Sequence, residues 1–179
     1  MKNPLLVILF YFLLGAGGTF ASTIEISPQN TQMTGSIPYT VIGTYEAQFD
    51  SFDGKVILDP ERQIRSVYLA IEVKSIDSNC PWCDKMARSR RLLNATRFPK
   101  IIFKSERISR YLDDYKIEGI LEMHGIAKRM AFTFKYQRGH IQGRWRINRK
   151  SFGVIWSRTL DKGGIVVGDY FTVDWNIKV

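Results

Sequence analysis

The chain has 179 residues, 45% of them hydrophobic, with 26 Lys and Arg against 17 Asp and Glu. That is enough for one domain with a sizeable core. The net charge of +9 favours anionic partners, but no basic tract of five or more residues occurs, and nucleic acid is not an expected partner.

The N-terminus reads as a secretory leader. Lys2 supplies the positive start, residues 5–14 an apolar run, and residues 15–21 a small-residue stretch. Thr19 and Ala21 then occupy the −3 and −1 positions of a cut before Ser22. The run is shorter than the roughly 20 apolar residues of a membrane span, so an uncleaved anchor is the lesser reading. No Cys follows to take a lipid anchor. The expected product is residues 22–179, periplasmic or secreted.

From Ser22 onward the dominant signal is alternation with period two. It is weak over residues 39–49 and 52–58, then clear at Val67, Leu69, Ile71 and Val73. Residues 77–99 break it, and residues 84–96 read as a short helix with Met86, Leu92 and Leu93 on one side, ended by Phe98-Pro99. Alternation resumes weakly over 101–108. Tyr115, Ile117, Gly119, Leu121 and Met123 share one phase, as do Met130, Phe132, Phe134 and Tyr136. A weaker run covers 141–147, and Phe171, Val173, Trp175, Ile177 and Val179 close the chain. Turn signals at Asp53-Gly54, Asp59-Pro60, Asp113-Asp114, Arg138-Gly139 and Lys162-Gly163-Gly164 separate these runs.

Segments with one apolar and one wet face are the habit of antiparallel sheets, and closure removes their exposed edges. The expected fold is all-β, an eight-stranded antiparallel barrel with one short helix. The candidate inward residues are Leu69, Ile71, Phe103, Leu121, Met123, Phe132, Phe134, Trp145 and Trp175. Such a set either packs against itself or lines an apolar pocket for one ligand. Gly43, Ala47, Gly119 and Gly143 on the same faces lean toward space inside, or mark bends.

Cys80 and Cys83 are the only cysteines, in Cys80-Pro81-Trp82-Cys83. A local disulfide is the ordinary reading in an oxidising compartment. Redox activity is the sharper one, because Cys80 would sit near a helix N-terminus, where a thiol is acidified. Asp84 stands where covalent haem attachment needs His. Only His124 and His140 remain beside carboxylates as zinc ligands, so no metal is expected. With no nucleophile set, paired carboxylates or phosphate loop in context, neither catalytic residues nor a cofactor are expected, and the chain does not read as an enzyme.

The order of several motifs is more specific. Gly43-Thr44-Tyr45 leads through Phe52-Asp53-Gly54-Lys55-Val56, and residues 71–77 read I-E-V-K-S-I-D. Arg97-Phe98-Pro99-Lys100-Ile101-Ile102-Phe103-Lys104-Ser105 follows. Residues 115–128 end in L-E-M-H-G-I-A-K, and Arg149, Phe152 and Gly153 complete R-x-x-F-G before Val167-Gly168-Asp169. Over residues 23–179 this order resembles the YceI-like family of polyisoprenoid-binding periplasmic proteins. The resemblance implies a lipocalin-like barrel, its helix following the S-I-D strand and its elongated interior holding an isoprenoid-like lipid such as a polyprenyl or quinone tail. The implied partners are that apolar lipid and, transiently, a membrane surface, with the chain a monomer or weak homodimer. Residues 78–86 and the stretch 35–42 depart from the family pattern, the first through the cysteine pair and the second by lacking a histidine.

Overall fold

The computed structural model describes residues 21–39, 43–111, 114–155 and 167–179. Apart from Ala21, the leader expected at residues 1–21 lies outside them. The alternating runs become strands because each turns a continuous apolar face one way: along Asp114–Met123 nearly every second residue is buried. In chain order the strands are β1 (Ser22–Ile26), β2 (Thr31–Tyr39), β3 (Gly43–Phe49), β4 (Phe52–Leu58), β5 (Ile64–Glu72) and β6 (Ile76–Asp77). Then come α1 (Pro81–Arg88), β7 (Lys100–Tyr111), β8 (Asp114–Met123), β9 (Ile126–Gln137), β10 (His140–Asn148) and β11 (Tyr170–Lys178).

All pairings are antiparallel, in the order β1-β4-β5-β7-β8-β9-β10-β11-β2-β3-β6. β5 lies near one end of that order and β6 at the other, yet only Val73–Ser75 separates them in the chain. The sheet therefore curls until its ends meet. Two backbone bonds hold this corner, from Asp50 N–H to Ser75 O at 3.1 Å and from Glu72 N–H to Ser51 O at 3.0 Å.

Eleven strands stand among the described residues where eight were expected. The extra ones have weak local signals. β1 is a five-residue edge strand paired only with β4. β2 contains Gly35 and Pro38, residues disfavoured in strands, and β6 is two residues long. The helix also differs from the expected 84–96. It starts earlier because Cys80 caps it and Pro81 occupies its first turn. It stops at Arg88 because Ser89 is extended (φ −68°, ψ 165°), and Asn94 then turns left-handed at φ 48°.

Two tight hairpins set the register of the far wall. His124-Gly125 joins β8 to β9, and Arg138-Gly139 joins β9 to β10. All four residues have positive φ, between 50° and 77°, the signature of two-residue loops whose twist matches the strands. Inside, Phe103, Ile117, Leu121, Met123, Phe152 and Val56 are each 1% exposed and form the heart of the core.

Candidate functional site

The apolar faces converge on a cavity of about 40 Å³ lined by Ile26, Thr31, Met33, Val56, Val67, Leu69, Phe103, Ile117, Phe132, Phe134, Ile141, Trp145, Val173, Trp175 and Ile177. Six of the nine residues singled out in the sequence line it: Leu69, Phe103, Phe132, Phe134, Trp145 and Trp175. Leu121 lines a neighbouring cavity of about 30 Å³ with Phe103, Met130, Ala131, Phe132, Trp145, Arg146 and Ile147. Ile71 and Met123 are buried, 3% and 1% exposed, but line neither. Ile26 and Met33 escaped notice because β1 and β2 carry little alternation; Val67, Ile117, Val173 and Ile177 already shared the right phase.

A ring cluster occupies the space. Phe132 lies 4.4 Å from Trp145 and 6.4 Å from Trp175, and Phe103 lies 5.1 Å from Trp145 (centroid to centroid). Of the two roles open to the small residues, Gly143 leaves no ligand space but admits a ring, and Gly119 lies against the Lys104 carbonyl opposite the bulge at residues 105–107, where it marks a bend. A Cβ on Gly143 would stand 2.5 Å from the Trp175 ring, and one on Gly119 would stand 2.8 Å from the Phe103 ring. A cavity of about 40 Å³ is far below the roughly 300–1,000 Å³ of ligand pockets. A lipid chain is admitted only if side chains give way. Phe132 and Trp175, half-buried, and the flexible Met33 are the ones with least to lose.

The wall beside this cluster is not fully paired. β9 is bonded to β8 along its first ten residues, from Ile126 to Lys135. Its ladder with β10 covers four pairs only, His140 with Gln137 through Gly143 with Phe134. In a two-residue hairpin the flanking residues form a hydrogen-bonded pair, and such pairs recur at every second residue. The backbone groups of Arg129, Ala131 and Thr133 therefore face β10, and those of Arg144 and Arg146 face β9, with no ladder partner across the gap. The smaller cavity lies in this seam. On the outer face over the paired end of this ladder, an open groove of about 510 Å³ runs among Gln32, Thr34, Lys135, Gln142, Arg144 and Asp174. It shares only Phe134 and Trp175 with the interior cavity.

The remaining motifs are structural anchors. Cys80 and Cys83 are joined as a disulfide, and the Cys80 Sγ accepts from Cys83 N–H at 3.3 Å. Asp84, 4% exposed, accepts from Ser78 Oγ at 2.5 Å and Tyr45 Oη at 2.8 Å, tying α1 to β3. Burial works against its charge, but the Ser78 and Tyr45 hydrogen bonds and the Arg88 charge outweigh that and hold its carboxyl below the usual range. Burial first, with the Asp84 carboxylate beside it, pushes the Tyr45 hydroxyl up to about 12. Arg149 of the R-x-x-F-G motif, 5% exposed, donates to Gly168 O and Val154 O at 2.8 Å and to Val167 O at 3.1 Å. It clamps the two ends of the connection into β11. His124 is a turn residue whose Nδ1 lies 3.1 Å from Phe152 O. His140 Nδ1 meets Asn176 Oδ1 at 3.0 Å. Among the described residues no group of three or more His, Cys, Asp or Glu could hold a metal.

A curled antiparallel sheet around an apolar interior defines a small barrel-like protein. Residues 24–179 match the model of the YceI-like domain, and the chain belongs to that family. A UPF0312 protein of Yersinia enterocolitica is 30% identical over 88 residues, 49% of this chain and 46% of that one. Another, from Pectobacterium carotovorum, is 33% identical over 81 residues, 45% and 42% of the two chains. These matches span a little under half of each relative. Among solved structures, Burkholderia cenocepacia BcnA superposes with a TM-score of 0.76 at 19% identity, over 86% of this chain and 99% of its own. A polyisoprenoid-binding domain from Saccharophagus degradans does so with a TM-score of 0.65 at 12% identity, over 88% and 98%. Both share the fold.

Proposed function

We propose that this protein is a non-enzymatic binding protein, exported to the periplasm or beyond, that holds a long apolar lipid of isoprenoid type in its interior. The carrying observation is the lining of the central cavity, where among the described residues Thr31 alone falls outside the apolar and aromatic set. Each buried methylene of a ligand chain contributes about 0.8 kcal/mol, so such a lining recognises chain length rather than functional groups. Family membership and the polyisoprenoid-binding domain of like fold support the same reading. The leader-like residues 1–21 support export. The lipid is collected in transient contact with a membrane: Ile126 and Ile155, 36% and 62% exposed, flank the Gly153 turn on a basic chain. Flotation with anionic vesicles tests that contact, and its absence at low salt would remove it.

Native mass spectrometry on protein taken from its own periplasm, followed by solvent extraction, tests the main reading. A co-purifying apolar mass of prenyl length is expected. A folded protein that neither carries nor takes up such a lipid would overturn the proposal. Sedimentation velocity should show a monomer or weak dimer.

One observation favours a second reading, a thiol–disulfide protein. Cys80 caps α1 with its sulfur on Cys83 N–H, an arrangement that stabilises a thiolate once the pair is reduced. Trp82 between the cysteines is 64% exposed. Insulin reduction by the reduced protein would support it, and inert, ordinary thiols would end it.

A further inference from the structure

Trp145 is 8% exposed and sits where β9 and β10 part, lining both the central cavity and the seam cavity. Its indole Nε1–H is buried without an acceptor; that of Trp175 is in the same state, but Trp175 does not line the seam cavity. A donor left in that state is destabilising, and nearly all buried polar groups in proteins are paired. The surroundings explain why Trp145 has no protein partner: its ring neighbours are Phe103 and Phe132, which offer no oxygen. Arg146 also lines the seam cavity and is exposed; its guanidinium rests over the Tyr170 ring of β11, 4.3 Å away, from where it can swing to the seam. The unpaired strand edges at this seam give a way through the wall, from Phe103 inside to Arg146 outside.

The geometry points to a polar subsite at the β9–β10 seam. The bound lipid carries an acceptor oxygen at its head, held by the Trp145 indole N–H beside Arg146, while its chain runs inward over Phe132 and Phe103. This rests on the lipid-binding reading and narrows it to oxygen-headed prenyl lipids, with plain hydrocarbons bound less well. The oxygen belongs to a neutral head, such as an alcohol or quinone, or to a phosphate. The indole serves either, and Arg146 adds attraction for the phosphate alone.

Binding of geranylgeraniol, geranylgeranyl monophosphate and the same chain without oxygen is measured by tryptophan quenching. The wild-type protein should bind both oxygenated probes about tenfold tighter than the hydrocarbon. Trp145→Phe should erase that preference, so that the oxygenated probes bind the variant no tighter than the hydrocarbon does. A further gain for the phosphate that Arg146→Gln removes identifies a charged head at the seam; equal gains identify a neutral one. No preference in the wild type, or a preference that survives Trp145→Phe, would overturn the subsite while leaving lipid binding intact. Failure of all three probes to bind would overturn the lipid reading and the subsite with it. Should Trp145→Phe not fold, the wild-type indole N–H resonances replace it, assigned by elimination with the Trp82, Trp156 and Trp175 to Phe variants. A downfield shift of the Trp145 resonance with geranylgeraniol and not with the hydrocarbon supports the subsite, and identical responses to both overturn it.

Discussion

β7 with β8 and β9 with β10 carry the same two-residue alternation, yet they build different walls. The first pair is bonded from Ile102–Glu122 to Tyr111–Asp114, with one bulge at residues 105–107. The second pair parts after four residue pairs although both strands continue. Along β9 burial follows its ladder with β10: Phe134, inside it, is 3% exposed. Phe103 on β7 is 1% exposed, whereas Met130 and Phe132 on β9, in the same inward phase, are half-buried. Alternation decides which face a side chain takes. The length of the ladder decides whether that face is sealed. A barrel that must admit a chain thicker than its resting cavity gains from one unsealed side, since two unpaired strand edges can part without breaking hydrogen bonds.

The largest expected effect separates the two walls by stability. Phe103→Ala should cost about 4 kcal/mol. Phe132→Ala, from a half-buried site, should cost no more than about 2 kcal/mol. Guanidinium unfolding of both variants measures this, and equal losses would mean that the seam is packed as tightly as the paired wall. Next comes hydrogen exchange along β9. The amides of Arg129 and Ala131, which face the seam, should exchange at least about 100-fold faster than those of Met130 and Phe132, which face β8. Uniform protection along the strand would show the seam closed in solution.

Two smaller effects concern the opposite corner and sharpen the contrast by showing what does not depend on the seam. Replacing Cys80 and Cys83 together by Ser should cost about 2 kcal/mol, because a disulfide across so short a loop restrains the unfolded chain little. Lipid binding should persist in that variant, and its loss would favour a role for the pair at the site. The smallest effect is a pH dependence. Asp84 has a lowered folded pKa, so its contribution is present above the ordinary Asp value of about 3.9 and is lost as pH falls through the folded value. Asp84→Asn should flatten the acid limb of Tm against pH. Tyr45 works the other way. Its folded pKa is about 12 against 10.0, so its contribution holds below pH 10 and fades toward pH 12. Tyr45→Phe should remove that alkaline limb.

Much of this was legible in the chain because period-two patterning is a local property that needs no partner. The inward phase of β5, β8, β9 and β11 follows directly from it, and that of β7 and β10 more weakly; together these strands supply the six predicted residues that line the cavity. β1 and β6 were not legible, because a five-residue edge and a two-residue bridge exist only through their pairing. The glycines left two roles open, space or bend, for a related reason. Gly119 and Gly143 read as either in one dimension, and only the register places the Phe103 and Trp175 rings over them. Arg149 and Asp84 look like ordinary surface charges in sequence; the fold buries each against several hydrogen-bond partners.

The sequence by itself determined an all-β, antiparallel fold with one short helix, the apolar face of most strands, and a motif order that marks the family. Those follow from residue type and spacing, which act within a few positions of the chain. The tertiary structure alone decided the number of strands, the tightness of the interior, the seam between β9 and β10 and the isolation of the Trp145 indole. Each depends on which segments lie side by side, and strand twist and register settle that only when the whole sheet has curled shut.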